Sequence, residues 1–83
     1  MRPTHAIPSL SRRVDYAARC LLTRRTHTRG FDNCFEQDDG DAVVYRLMRR
    51  AQKNARLAQA IADWLTPEGQ AQWQAIFDRL AGR

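Results

Sequence analysis

At 83 residues, with 43% apolar and 28% charged side chains, the chain has the length of one small domain and the balance of a globular protein, not a disordered tail. No stretch approaches the ~18 consecutive apolar residues of a membrane-crossing helix, so no membrane partner is expected. The net charge of +5 rests on thirteen Arg and the single Lys53. Arg grips carboxylates and phosphates with a planar fork, although an Arg excess also follows from a GC-rich genome.

Residues 1–8 contain Pro3 and Pro8 and show no apolar periodicity, which reads as an extended lead-in to one helical domain over residues 9–83. Seven Arg and one acid, Asp15, in residues 1–31 also resemble the composition of a mitochondrial presequence. A cytoplasmic location is expected, with the mitochondrial matrix as the alternative. A first helix is expected over about residues 9–25, capped by Ser9 or Ser11. Leu10, Val14, Ala17, Ala18 and Leu21 fall on one stripe at spacings of three and four. Gly30 reads as the stop beyond it.

Residues 30–41, GFDNCFEQDDGD, carry five acids and no base and read as an acidic loop, with Phe31 and Phe35 tucked beneath it. Asp41 is expected to cap a second, long helix over about residues 42–65. Its apolar face would run from Val43, Val44 and Leu47 through Met48, Ala51, Ala55 and Ala58 to Ile61, Ala62 and Leu65. Thr66 and Pro67 are a cap and first-turn pair for a third helix over about residues 67–81, with Trp73, Ile76, Phe77 and Leu80 facing the second helix and Gly82 ending it. The expectation is an all-α, compact three-helix domain.

The charges are segregated: +6 over residues 1–30, −5 over 31–41, +5 over 42–56 and −1 over 57–83. On a continuous second helix Arg46, Arg49, Arg50, Lys53 and Arg56 would share an arc of about 120° opposite the apolar face. Such a stripe is a solvated face, a contact for phosphates or a contact for the acids of another protein. The acidic loop, with Asp38 and Asp39 at its centre, would either cover the stripe or dock on a basic surface itself. Trp64 falls beside the basic arc, where an exposed indole can anchor an interface or simply cover the corner between helices.

Other chemistries find little footing. His5, Cys20, His27 and Cys34 lack metal-ligand spacing, and the loop acids miss the EF-hand register, so no metal or cofactor is expected. The two cysteines are expected as reduced thiols. No phosphate loop or nucleophile elbow is present, and Cys34 with His27 would lack a walled pocket, so the chain is not expected to be an enzyme.

The stretch Ile61–Leu65, with Gln70, Gln72 and Gln74 after it, resembles a helix-turn-helix. However, Thr66 and Pro67 occupy the turn, and the would-be reading helix starts without Arg or Lys. Val44-Tyr45-Arg46 resembles the Leu-Tyr-Arg motif of small helical mitochondrial assembly factors, departing at its first position and lying mid-chain.

The expectation for function is a non-enzymatic binding protein, an inhibitor or accessory factor. It would dock on a protein or nucleoprotein partner through Arg46, Arg49, Arg50, Lys53, Arg56, Trp64, Asp38 and Asp39. The alternative is a small DNA- or RNA-binding regulator using the same Arg stripe. That regulator would be a homodimer, and a third class, a self-assembling structural subunit, would use Tyr45, Trp64 and the Ala-rich face.

Overall fold

A computed structural model of the chain describes residues 7–82. Among these residues the fold is entirely helical, a compact globule of five helices: α1 Leu10–Leu22, α2 Arg29–Asn33, α3 Gly40–Ala51, α4 Ala55–Trp64 and α5 Pro67–Ala81. The expected lead-in over 1–8 lies mostly outside the described residues, as does His5. Residues 7–9 are exposed and non-helical.

Ser9 caps α1, its hydroxyl accepting from the Arg12 N–H at 3.3 Å. The helix ends at Leu22, earlier than residue 25, in a Schellman arrangement. The Arg24 N–H donates to the Leu21 carbonyl at 3.2 Å and the Arg25 N–H to the Cys20 carbonyl at 2.8 Å. This requires a left-handed backbone at Arg24, whose φ is 59°.

Gly30 does not terminate α1 but lies inside α2, which Thr28 caps through the Phe31 N–H at 3.1 Å. The acidic segment is therefore partly helical and partly buried: Phe31 and Cys34 are core residues and Phe35 packs against them. A Cβ added at Gly30 would lie 2.7 Å from the Tyr16 hydroxyl, so a larger residue there would displace that exposed ring.

The long second helix is two helices. α3 starts at Gly40, with Asp39 at the cap position making no side-chain cap bond, so Asp41 sits in the first turn instead of capping. It stops at Ala51. Asn54 then turns extended (φ −142°, ψ 97°), and its side-chain oxygen accepts from the Leu57 N–H at 3.1 Å, capping α4. Asn competes with helical backbone bonding through its own amide, and Arg46, Arg49, Arg50 and Lys53 crowd like charge at three- and four-residue spacings just before it. The turn also delivers Leu57 and Ile61 to the core and leaves Ala55, Ala58 and Ala62 exposed, contrary to the single apolar face of an unbroken helix.

Thr66 caps α5 through the Gly69 N–H at 3.1 Å, with Pro67 in the first turn. Ser11 meets Arg46 and Asp15 meets Arg50, so α1 and α3 run side by side in the same direction. Asp41 meets Arg79 and Tyr45 stacks on Phe77, so α5 returns along α3 in the opposite direction. The core lies between: Val14, Ala17 and Leu21 of α1, Phe31 of α2, Val43 and Leu47 of α3, Leu57 and Ile61 of α4, and Trp73 of α5.

Candidate docking surface

The cations of α3 form the outer ridge of the parallel α1/α3 pair, and each guanidinium there is held by a neighbour. Arg46 donates to the Ser11 hydroxyl at 3.3 Å. Arg50 donates to the Asp15 carboxylate at 2.5 Å. Arg49 donates to the Tyr45 hydroxyl at 2.9 Å, with its guanidinium carbon 5.8 Å from that ring's centroid. Tyr45 is itself backed by Phe77, the ring centroids 5.2 Å apart.

These contacts narrow the rotamer freedom of side chains that otherwise stand in water. On α1, Arg12 and Arg19 are exposed too, and Arg12 borders the recess between α1 and α2 with Tyr16 and Asn33. The helix break removes two members of the expected stripe. Lys53 lies in the turn and Arg56 in the first turn of α4, where it flanks a shallow recess with Leu22 and Arg24. All five cations fall together only on a continuous helix, in which Asn54 would be an interior residue.

The acidic segment does not cover this surface. Among the described residues, none of the four ion pairs joins it to a cation of α3. Asp39 faces the other way and holds Arg13 in a two-pronged contact, both N–O distances 2.8 Å. Arg13 is 7% exposed and also donates to the Pro8 carbonyl at 3.1 Å and the Cys34 carbonyl at 3.5 Å. These hydrogen bonds from Arg13 hold the Asp39 carboxyl below its usual value, and the carboxylate in turn raises the Arg13 pKa.

Asp39 is thus a structural partner, while Asp38 stands exposed without an ion pair among the described residues. Asp41 binds Arg79. Sequence reasoning missed Arg13 as a buried cation. The signal was its position one turn before Ala17, on the edge of the apolar stripe.

Trp64 is 36% exposed and belongs to an aromatic cluster instead of standing free beside the basic arc. It packs edge-to-face on Phe31, with centroids 5.1 Å apart, and on Trp73 at 5.5 Å. Tyr45 is likewise engaged, by Phe77. Cys20 and Cys34 are both buried free thiols, and burial pushes the Cys34 thiol up. Among the described residues no three His, Cys, Asp or Glu side chains converge to hold a metal ion, and no helix is long and apolar enough to cross a membrane.

No family model matches the chain. No curated protein and no solved structure matches it either. The molecule presents a basic ridge where α3 lies along α1, and apart from it an acidic, aromatic segment whose Asp39 and Asp41 are held by Arg13 and Arg79.

Proposed function

We propose that the chain is a non-enzymatic docking protein, an inhibitor or accessory factor, whose α1/α3 ridge engages an acidic surface of a partner protein. The observation that carries this reading is the anchoring of Arg46, Arg49 and Arg50 by Ser11, Tyr45 and Asp15 on a face clear of the acidic segment. Arg46 and Arg49, held in place and without an ion-pair partner among the described residues, suit carboxylates spaced along a helix or strand of a partner, while Arg50 is already answered by Asp15. Lys53 and Arg56 would extend the contact only at its margin.

The second reading is a small DNA- or RNA-binding regulator, favoured by the dominance of Arg, whose fork also fits phosphate. Asp15 at the middle of the ridge counts against it, because a carboxylate among the cations repels a continuous phosphate backbone while leaving room for discrete carboxylates.

Titration of a labelled Glu-rich peptide and a labelled 20-base-pair duplex, each at 50 and 200 mM salt, separates the two. The expected result is salt-weakened peptide binding that drops at least tenfold when Arg46 and Arg49 are reversed to Glu. Duplex bound more tightly than peptide transfers the surface to the regulator reading. Peptide binding unchanged by the reversal removes the ridge from both.

A further inference from the structure

On the acidic side of the molecule a shallow, open cavity of about 400 Å³ lies between α2, the start of α3 and the α4/α5 corner. Its walls are rings: Phe35, Trp64 and Trp73, with Phe31 behind them. Phe35 and Trp64 lie nearly parallel, 22° apart in plane and 6.5 Å between centroids, at the wide end of aromatic contact. Trp73 closes the third side, tilted 71° to Trp64 and 49° to Phe35.

The rim is acidic. Asp32, Glu36 and Asp41 line it, and of these Asp41 is neutralised by Arg79. Asp32 and Glu36 are exposed and have no ion-pair partner among the described residues.

Aromatic faces attract cations through the ring quadrupole, most strongly for indole, and a carboxylate rim supplies the long-range attraction. An apolar occupant would gain from the rings but would leave the rim charges unanswered. A strongly hydrated ammonium gives up more water on entry than a guanidinium does. The guanidinium stacks flat on a ring while its in-plane N–H groups stay directed at carboxylates.

We propose that this cavity receives the side chain of an arginine from a basic peptide segment of a partner, with the guanidinium against Trp64 and its edge on Asp32 and Glu36. The site shares no residue with the α1/α3 ridge and does not depend on the docking role assigned there.

Both tryptophans of the chain line the cavity, so intrinsic fluorescence reads it directly. The full chain is titrated at low salt with N-acetyl-Gly-Arg-Gly-amide, the Lys tripeptide and the citrulline tripeptide, which keeps the shape of Arg without its charge. The expected result is a saturable change in tryptophan emission with the Arg peptide. Citrulline gives no saturation, and the Lys peptide binds at least threefold more weakly.

The Asp32→Asn/Glu36→Gln double variant changes only exposed side chains, and its fold is checked by circular dichroism. It should weaken the Arg peptide at least fivefold, whereas reversal of Arg46 and Arg49 should leave its binding unaltered. A citrulline response equal to that of Arg, equal binding by the Lys peptide, or a double variant that binds as before would each overturn the assignment.

Discussion

Arg13 and Asp39 are joined by two short hydrogen bonds, yet the two partners stand in very different surroundings. The Arg13 side chain is 8% exposed and the Asp39 side chain 46%. Removing Asp39 strands a buried cation, whereas removing Arg13 returns a carboxylate to water. Asp39→Ala should therefore lower the melting temperature more than Arg13→Met does, as measured by circular dichroism melts of the two variants.

The pH dependence has a definite sign. Asp39 has a folded-state pKa below its unfolded value, so its contribution is complete above about pH 4. It is lost as the pH falls through the lowered folded value. In Arg13→Met the stability curve should be flatter over that acid window, and an unchanged acid limb would show that the pair carries no such linkage. The sequence advertised Asp39 as an acid in an acidic loop. What it could not show was that a residue 26 positions earlier turns inward to meet it.

Between α3 and α4, a single side chain decides where a helix ends. Asn54 accepts from the Leu57 N–H, and loss of such a cap costs on the order of 1 kcal/mol. Asn54→Ala should thus destabilise the chain by about 1 kcal/mol in urea denaturation, with the slope unchanged. A neutral result would mean that packing of Leu57 and Ile61 alone sets the break.

The starts at Ser9 and Thr66 were legible because a small hydroxyl residue precedes a clear apolar stripe. The one at Asn54 was hidden because the alanines around it satisfy a helical pattern on either side. Thr28 was hidden for a different reason. Gly30 reads as a terminator, but here it lies inside a five-residue helix, beside Tyr16. The expected surfaces inherited these errors. Arg46, Arg49 and Arg50 stay together, and Lys53 and Arg56 diverge with the chain.

Across the whole molecule, stability is unevenly supplied. α1 gives Val14, Ala17, Ala18, Cys20 and Leu21 to the buried core, while α5 gives Trp73 alone and leaves Ile76, Phe77 and Leu80 half-covered. The Arg79–Asp41 pair adds little, because both side chains are about half exposed. Backbone amides of α5 beyond its first turn should therefore exchange with solvent at least tenfold faster than those of the middle of α1, a contrast that hydrogen exchange followed by NMR would measure. Equal protection would indicate that the five helices open as one unit.

The all-helical class and the charge segregation were both visible in the chain. Which way each charged group faces was not, because that depends on contacts between helices 26 to 39 residues apart.

Arg24 sits where such a distant contact and a local backbone demand coincide. Its left-handed backbone closes α1, a conformation that costs a non-glycine residue about 1–2 kcal/mol, and its side chain reaches Asp63 of α4 at 3.5 Å. The pair is exposed at both ends and adds little, so the backbone sets what position 24 accepts. Glycine relaxes the turn, Asn and Asp tolerate it, and a β-branched residue bears the most strain. Substitutions that survive there should therefore rank by how readily they turn left-handed and not by charge.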